Sequence, residues 1–542
     1  MKYKIVESQN YRSLQETYGY SILLSKIIDF KKIDHESLQE LINPRLIYHD
    51  FSLFEEAEMT LERIEEAIDN KKKICIYGDY DCDGILATSI LVQAFLQRGV
   101  QVGYHIPNRF DDGYGLNEER VKQMAEKGYS LIITVDNGVK AFDAIECANE
   151  LGVDVIVTDH HQFDVDLPDA YSFIHTKLSL EYPFKEISGG YVAYKLASAL
   201  LNKHDKYLYC LAAITTVSDM MPLLDENRSL VKRALLFMKE EKYPALEMLL
   251  SKNQTYDMTC LGFTIAPKIN SFGRLPEICH PNILVKYFLK DAPQELLMKV
   301  SQMANQINEK RKKIISEQYA SIKDIENDKF LYYSNEHIHE GIIGLIAGNY
   351  TRDYEIPSFV MHYDKDKQLY RGSARSVKGF SLHEFFTTHS DLFVHCGGHS
   401  QAGGFSVDEE HYESLRECLS LELKDIHFDT DQYVLKLNDQ DISIQSVESL
   451  SVLEPFGMCN ENPLVYLEHV SSFRAFTIAE GQHLKLEIKY PHVTIQAIYF
   501  GQGELLEYIK KQKEIKLIGT LSINVYNNIK SVNFMIKDIL YY

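Results

Sequence analysis

Apolar and polar positions follow two patterns along this chain: short continuous apolar runs and longer helical repeats. Apolar runs at residues 74–77, 131–135 and 153–157 are each bounded by turn residues. Runs of this length predict buried parallel strands. Helical patterns at residues 87–97 and 141–150 follow the first and second runs, so the chain predicts a doubly wound α/β sheet.

Acidic residues and histidines come directly after apolar runs. They are Asp79, Asp81 and Asp83 in a first motif, Asp136 in a second, His160 and His161 in a third, and Asp219 in a fourth. Ligands of doubly wound sheets bind beyond the carboxyl ends of the strands, and we expect four strand ends to meet around one crevice. Carboxylates and imidazoles gathered in this way suit two hard divalent cations, which favours hydrolysis of a phosphoester.

Each motif taken alone has a simpler interpretation. A single Asp after a strand is more typical of a helix N-cap than of a metal ligand. The Asp-x-Asp-x-Asp-Gly run at residues 79–84 resembles a calcium loop, but Ile, Leu and Ala follow at 85–87, where an EF-hand needs further oxygen ligands. The convergence of all four motifs favours the metal site.

With these motifs the chain resembles the DHH phosphoesterase superfamily and, within it, the RecJ family of single-strand-specific exonucleases. The resemblance extends from about residue 50 to the end of the chain. It rests on further blocks that follow the order of the family, at residues 106–109, 113–116, 262–270, 273–275, 341–344, 371–376, 397–399 and 455–457.

The resemblance implies catalysis by two metal ions, Mn²⁺ or Mg²⁺. Asp136 would bridge the two metals, and Asp81 would complete one site. Asp83, His160 and Asp219 would complete the other site. The predicted metal ligands are therefore Asp79, Asp81, Asp83, Asp136, His160 and Asp219, and the predicted catalytic residues are Asp81, Asp83, Asp136, His160 and His161.

Two residues of the motifs have more open roles. His161 would face the scissile phosphate, and Asp79 would act either as a ligand or as a hydrogen-bond acceptor behind the ligands. Many DHH phosphatases carry a His where this chain has Tyr77. A phenol binds a hard cation poorly, so we expect a weaker first metal site or one that recruits Asp79.

The resemblance also implies a pocket for the end of a DNA strand. Arg109, Ser373 and Arg375 would hold a terminal 5′ phosphate, because the planar Arg fork binds two oxygens at once, and His399 would contact the scissile phosphate. The predicted substrate-binding set is Arg109, Tyr114, Lys268, Arg274, Arg371, Ser373, Arg375, Gly397, Gly398 and His399. The basic run at 310–313 is a further candidate for DNA contact, although such runs are more often solvated helix faces.

The patterns divide the chain into five segments. We predict an N-terminal helical extension at 1–50, a metal-binding domain at 51–240, a connecting segment with a long helix at 241–325, a second α/β lobe at 326–428, and a small barrel at 429–542. The resemblance implies that the metal-binding domain is a DHH domain and that the barrel is an OB-like fold. The glycine-rich block at 397–404 either lets a phosphate approach the backbone or forms a tight turn at a sheet edge. In the last segment Tyr490, Tyr499, Phe500 and Tyr526 either stack on bases or belong to the core.

Composition sets limits on this interpretation. The 542 residues suffice for three or four domains, no apolar run is long enough for a membrane span, and nine cysteines without a Cys-x-x-Cys pair indicate a reducing cytoplasm. A net charge of −21 disagrees with simple coating of DNA, because an acidic protein repels a polyanion at long range. Basic residues must therefore line the DNA path locally.

The predicted protein is a monomeric 5′ to 3′ exonuclease on single-stranded DNA that acts in repair and recombination, with a helicase and a single-strand-binding protein as possible partners. Two alternatives remain open. One is a DHH phosphodiesterase for short RNAs or cyclic dinucleotides, which usually needs only the first two lobes. The other is a nonhydrolytic single-strand-binding scaffold, which intact acids in all four motifs disfavour.

Overall fold

The chain divides into two compact units in a computed structural model. We call Met1–Ile47 with Asp431–Tyr542 the terminal unit and Tyr48–Thr430 the central unit. The structure describes residues 3–42, 45–113, 115–163, 165–322, 329–426, 428, 431–526 and 529–540.

Strands and helices follow one another through both units, and they alternate in the first half of the central unit. The strands of the described residues are β1 Tyr3–Val6, β2 Lys73–Tyr77, β3 Gly103–His105, β4 Tyr129–Val135, β5 Asp154–Thr158, β6 Ser172–Ile174, β7 Leu331–Asn335, β8 Ser358–Asp364, β9 Leu369–Arg375, β10 His395–Gly398, β11 Ala402–Asp408, β12 Gln432–Leu437, β13 Val465–Val470, β14 Phe473–Ile478, β15 His483–Lys489, β16 Thr494–Tyr499, β17 Ile515–Tyr526 and β18 Ile529–Leu540. The helices are α1 Tyr11–Tyr18, α2 Ile22–Lys31, α3 His35–Ile42, α4 Ala57–Asp69, α5 Cys82–Gln97, α6 Glu118–Glu126, α7 Phe142–Glu150, α8 Gly189–Leu201, α9 Lys206–Ser218, α10 Asp225–Glu240, α11 Pro244–Glu247, α12 Met258–Cys260, α13 Ala266–Arg274, α14 Asn282–Tyr287, α15 Gln294–Ser321, α16 Ile343–Tyr354, α17 Leu382–Thr388, α18 Tyr412–Leu423, α19 Ile444–Glu448 and α20 Leu506–Ile509.

The first sheet has the strand order β3-β2-β4-β5-β6, and all neighbouring strands are parallel. Alternate residues of β2 enter different cores: Ile74 and Ile76 pack on one face, and Cys75 and Tyr77 pack on the other. Burial on both faces explains why the strands are continuous apolar runs. The predicted doubly wound α/β sheet is confirmed.

One motif leaves a helix and not a strand. Asp219 is the C-cap of α9, so the expectation of four strand ends was wrong in this detail. Residues 206–218 are almost wholly buried against α5, α8 and α10, and a helix that is apolar all round has no period that separates it from a buried strand.

The second lobe follows the predicted long helix, which runs from Gln294 to Ser321. Its sheet has the order β10-β11-β9-β8-β7, in which only β7 and β8 pair in parallel. The helix α16 packs on β8 and β9. The glycine-rich block lies in β10, in β11 and in the turn between them, at the edge of this sheet.

The terminal unit joins both ends of the chain. Strand β1 pairs in parallel with β12, with Tyr3 opposite Gln432, at one end of an eight-stranded sheet ordered β1-β12-β13-β17-β18-β16-β15-β14. Leu23 and Ile27 of α2 are buried in the same core as Leu486 and Phe534. The sequence predicts a separate helical extension at residues 1–50, whereas the first 47 residues belong to this unit and join it through a strand too short to recognise by its pattern.

Across the described ranges, every helix is too short or too polar to cross a bilayer.

Candidate active site

Two carboxylates that follow β2 are fixed by helix N-termini. The Asp81 Oδ1 atom accepts the backbone N–H groups of Asp83 at 2.9 Å and of Gly84 at 3.1 Å, so Asp81 is the N-cap of α5. The buried Asp83 carboxylate accepts the N–H groups of Gly189 at 2.8 Å and Gly190 at 2.7 Å, at the start of α8. Both acids are therefore held rigidly before any ion binds.

The Asp136 carboxylate lies at the centre of the site. Its backbone has a φ of +63°, and its N–H donates to the Thr158 carbonyl at 3.0 Å, across the ends of β4 and β5. Its Oδ1 atom lies 3.0 Å from His160 Nε2. A Cβ on Gly189 would come within 2.6 Å of the Asp136 side chain, so only glycine fits behind this carboxylate.

Asp159 organises the two histidines that follow it. Its Oδ1 atom accepts the N–H groups of His160 at 2.7 Å and His161 at 3.1 Å, and it lies 2.8 Å from His161 Nδ1. Its Oδ2 atom accepts the Val139 N–H at 3.1 Å. These contacts turn the loop so that His160 faces Asp136, Asp219 at 3.6 Å and Asp83 at 3.7 Å.

The predicted ligands therefore converge. Within the described residues, three groups have donor atoms that all lie within 4.8 Å of one another: Asp136 with His160 and His161, Asp83 with His160 and Asp219, and Asp79 with Asp81 and Asp136. The Asp79 Oδ1 atom is buried and has no hydrogen-bond partner in the part of the chain described. Such an atom is costly unless a cation or solvent satisfies it, so the residues fit hard divalent cations.

The carboxylates repel one another in the absence of ions. Burial and the charge of Asp81 raise the pKa of Asp83 to about 7. Burial, followed by neighbouring carboxylates, also raises the pKa values of Asp79, Asp136 and Asp219 well above the usual range. Divalent cations bound by these carboxylates would offset the repulsion.

The two histidines differ in charge. Burial, followed by the charge of His161, lowers the pKa of His160 well below its usual value, which keeps it neutral and able to bind a metal. Burial also acts to lower the pKa of His161, but the charge and hydrogen bond of Asp159 outweigh it and raise this pKa to about 9. Asp159 therefore favours the protonated form of His161, which suits contact with a phosphate oxygen.

Tyr77 is a core residue and lies outside these donor groups. Its side chain is fully buried, and its hydroxyl donates to the Gly115 carbonyl at 3.1 Å. Asp79, two residues later, belongs to the same donor group as Asp81. This arrangement favours the ligand role for Asp79, which remains a prediction.

Basic residues gather beside the acids, between the two lobes of the central unit. The Arg109 guanidinium lies over the Tyr80 ring at 5.2 Å. Burial, with the charges of Arg109, Arg311 and Arg375, lowers the pKa of Arg274 to about 9. These four side chains, which we call the arginine cluster, repel one another and together suit an anion.

Three members of the cluster are fixed by the second lobe or by the long helix. Arg375 donates to Ser373 Oγ at 2.9 Å, and Arg274 donates to the Gly341 carbonyl at 3.2 Å. Arg311 lies on α15, and its Nε atom is buried with no hydrogen-bond partner among the described residues. The sequence indicated the basic run 310–313, but Lys310, Lys312 and Lys313 are exposed and only Arg311 turns inward.

His399, in the second lobe, interacts electrostatically with the loop of Asp159, His160 and His161, which we call the DHH loop. Burial, followed by the charge of His161, lowers the pKa of His399. The backbone N–H of His399 donates to the Ala402 carbonyl at 2.8 Å, within the turn between β10 and β11. Gly398 has a φ of +143°, and a Cβ there would lie 2.4 Å from the Ala402 oxygen. Gly397 is exposed with open space around it.

Two predicted substrate residues stand apart from the arginine cluster. Lys268 is buried and donates to the Leu249 carbonyl at 2.5 Å, so it has a structural role. Arg371 is ion-paired with Glu340 at 2.9 Å. Tyr114 lies outside the described residues.

Sequence reasoning missed two residues that support the site. Asp159 was not separated from its histidines, although an Asp before two His is a visible signal. His175 is fully buried, with Nε2 2.9 Å from the His161 carbonyl and Nδ1 accepting the Lys177 N–H at 3.1 Å. A lone His gives no signal of this kind in the sequence.

The aromatic candidates of the terminal unit differ in exposure. Tyr490 and Tyr499 pack partly buried against the core, and Phe500 is exposed. The side chain of Tyr526 lies outside the described residues. Phe476 was missed; it is exposed on β14 with the Lys485 ammonium 5.8 Å from its ring.

Three family models match the chain in succession. They are the DHH family N-terminal domain at residues 73–216, the DHHA1 domain at 327–425 and the RecJ OB domain at 435–538. Each lies within one of the segments predicted from the sequence.

Curated relatives match most of the chain. The single-stranded-DNA-specific exonuclease RecJ of Bacillus subtilis is 34% identical over 88% of this chain, which covers 62% of that relative. The protein of the same name from Haemophilus influenzae is 28% identical over 94% of this chain and 93% of its own length.

Solved structures show the same fold. The crystal structure of RecJ in complex with Mn²⁺ from Thermus thermophilus matches with a TM-score of 0.82 and 24% identity, over 100% of this chain and 79% of that one. A crystal structure of exonuclease RecJ bound to manganese matches with a TM-score of 0.58 and 27% identity, over 68% of this chain and 94% of that one.

The sheet with its acidic crevice defines a DHH-family protein. With the DHHA1 and RecJ OB domains in order behind it, the chain belongs to the RecJ group of that family.

Proposed function

We propose that this protein is a metal-dependent exonuclease that degrades single-stranded DNA from its 5′ end and releases 5′ mononucleotides. The observation that carries the proposal is the convergence of the carboxylates and His160, with donor atoms within 4.8 Å in each group, beside the arginine cluster. The relatives named as single-stranded-DNA-specific exonucleases support the same activity.

Two divalent cations fit the donor groups. Asp136 belongs to two of the three groups. Asp79, Asp81 and Asp136 would hold one ion, and Asp83, Asp136, His160 and Asp219 would hold the other. When bound, such ions lower the pKa of a water molecule and neutralise charge on the phosphodiester. Mn²⁺ and Mg²⁺ both accept oxygen ligands, and the imidazole favours Mn²⁺.

The protein's own cations would act on the phosphates. His161, kept protonated by Asp159, donates a hydrogen bond to an oxygen of the scissile phosphate from one side, and His399 contacts it from the second lobe. The arginine cluster, with Ser373, binds a terminal 5′ phosphate, because several guanidinium forks match the oxygens of a dianion. Holding the end of the strand beside the metals gives the reaction its direction.

The terminal unit would add affinity for the rest of the strand. Its exposed Phe476 and Phe500 offer faces for stacking bases, and Lys485 offers a nearby positive charge. The RecJ OB domain favours a long strand as substrate over a cyclic dinucleotide or a short RNA. We further infer that the protein is a monomer. Its nine cysteines form no disulfide, in line with a reducing cytoplasm. We infer that it meets helicases and single-strand-binding proteins at DNA ends.

Replacing Asp136 by Asn tests the catalytic site. Loss of the central carboxylate is expected to lower the rate of digestion of single-stranded DNA by about 10³-fold or more, the equivalent of several kcal/mol of metal stabilisation. The measurement is release of acid-soluble nucleotide with Mn²⁺ by the purified variant and by the wild type.

Asp143→Asn is the matched control, because Asp143 is an exposed acid of the same domain in the first turn of α7. It should retain the wild-type rate. A wild-type preparation that cleaves no DNA with either metal, or an Asp136→Asn rate equal to wild type, would instead support the nonhydrolytic scaffold.

A further inference from the structure

The carboxyl end of β6, the edge strand of the first sheet, also lies at the site. Strand β6 pairs with β5 so that Ile174 lies opposite Thr158, which brings the residues after Ile174 beside the DHH loop. His175 and Lys177 follow there, at the carboxyl edge where such sheets bind ligands. The motifs of the sequence do not include this edge strand.

His175 fixes the position of Lys177. Its Nε2 atom bonds the His161 carbonyl and its Nδ1 atom accepts the Lys177 N–H. The next turn is braced as well, since Thr176 Oγ1 donates to the Lys185 carbonyl at 2.6 Å and Ser179 Oγ donates to the His175 carbonyl at 2.9 Å. The His175 imidazole therefore links the backbone of Lys177 to the backbone of His161.

The Lys177 ammonium is only loosely paired. Its ionic partner is Glu186, with Nζ and Oε1 3.5 Å apart, and the side chain of Glu186 is 48% exposed while that of Lys177 is 18% exposed. Charge-assisted N–H···O bonds normally have donor–acceptor distances of about 2.7–2.9 Å, so this contact is longer than a hydrogen-bonded ion pair. A partly exposed ion pair of this length contributes little energy, so an anion that enters the site can compete with Glu186 for the ammonium.

We call the space between the two lobes of the central unit the cleft. Lys177 lies close enough to the second lobe for its charge, after burial and the charge of His161, to lower the pKa of His399. The segment that carries Lys177 is bonded through His175 to the His161 carbonyl, at the carboxyl edge where such sheets bind ligands.

We propose that Lys177 is a substrate-binding residue, whose ammonium contacts a phosphate oxygen of the DNA strand in the cleft and exchanges Glu186 for that phosphate. Lysine serves as a compact point charge toward phosphate, with donors that rotate as the phosphate moves. Glu186 holds the ammonium in place while the cleft is free of DNA. This inference rests on the proposed nuclease function.

Lys177→Met is expected to lower kcat/KM for single-stranded DNA by roughly ten- to a hundredfold, mainly through KM, as loss of one charge-assisted contact predicts. Loss of one phosphate contact should also make the slope of log(kcat/KM) against log salt shallower by about 0.7. Lys177→Arg keeps the charge and should keep the slope. Lys206→Met is the control, since Lys206 also pairs with a surface glutamate, Glu241, at the other end of α9 from Asp219.

The double variant Lys177→Met with Glu186→Gln separates contact with DNA from simple charge balance. If Lys177 contacts DNA, the double variant will match Lys177→Met, and Glu186→Gln alone will lower KM. Recovery of wild-type kcat/KM in the double variant would overturn the proposal, as would a Lys177→Met enzyme with wild-type KM and salt slope. A wild-type protein that cleaves no DNA would refute the proposed function itself, so the two failures are distinct.

Discussion

Asp136 shows how single residues are selected at this site. A φ of +63° is unfavourable for a residue with a side chain, although Asp and Asn tolerate it better than most. The Thr158 carbonyl accepts its N–H and the bare backbone of Gly189 leaves room for its carboxylate. The strained conformation points the carboxylate at the two donor groups to which Asp136 belongs. Backbone strain often has such a role at a functional site.

Gly189→Ala is therefore predicted to damage the site without removing any functional side chain. The added Cβ would lie 2.6 Å from the Asp136 side chain and 2.9 Å from its Cα atom, so the carboxylate must shift. Displacement of a central ligand by a fraction of an ångström should lower the nuclease rate by about a hundredfold and weaken Mn²⁺ binding measured by calorimetry. Gly262→Ala is the control, since its Cβ would meet only Val217 at an ordinary 3.5 Å; equal activity of both variants would contradict this account of Asp136.

At the scale of elements, the terminal unit depends on a contact between distant parts of the chain. Lys26 of α2 and Asp441 are both buried and form an ion pair with Nζ and Oδ2 2.6 Å apart. Asp441 also accepts the Asn438 N–H at 2.8 Å. The pair fixes α2 to a turn more than four hundred residues later in the sequence, so the N-terminal segment is a structural part of this unit.

Lys26→Met should destabilise the terminal unit by about 3–5 kcal/mol, because it leaves the Asp441 carboxylate buried without its partner. Lys4→Met removes an equally short pair, with Asp431 at 2.6 Å, that is exposed at the surface of the same unit. Its expected effect is below about 1 kcal/mol. Urea denaturation of the two variants measures both values, and similar losses would show that burial of the pair does not decide its strength.

At the scale of the whole molecule, charge and function are divided between regions. The chain carries a net charge of −21, yet the arginine cluster, His161 and Lys177 gather positive charge within the central unit. Local cations compensate for long-range repulsion of DNA, since interactions beyond about 8 Å are largely screened at physiological salt. Binding of the strand should therefore depend on residues of the cleft and of the OB domain more than on the net charge.

The fragment 48–430, which is the central unit alone, tests the contribution of the terminal unit. We expect it to digest strands of about 6 nucleotides with a KM close to that of the full chain, and strands of about 40 nucleotides with a KM raised about tenfold, because stacking on aromatic side chains contributes about 1–3 kcal/mol per base. Equal KM values for the long strand would mean that the OB domain adds no affinity.

Local patterns predicted most of the fold, because parallel strands leave a direct trace in the sequence, and they also singled out the acids and histidines whose donor atoms lie within 4.8 Å of one another. Contacts between distant segments leave no such trace. The sequence predicts a strand end at Asp219 because α9 is apolar on every side. It presents Lys268 only as a basic residue, because its partner, the Leu249 carbonyl, cannot be inferred from spacing. The pairing of β1 with β12 and the His175 bridge to His161 likewise exist only in three dimensions.

The direction of digestion is tested most directly with a 5′-phosphorylated single strand that is labelled at either its 5′ or its 3′ end and incubated with the protein and Mn²⁺. We expect the 5′ label to appear as mononucleotide from the earliest times, the 3′ label to appear only as the strand is consumed, and a duplex of the same sequence to persist. Earlier release of the 3′ label, or a ladder of internal cuts, would contradict this expectation.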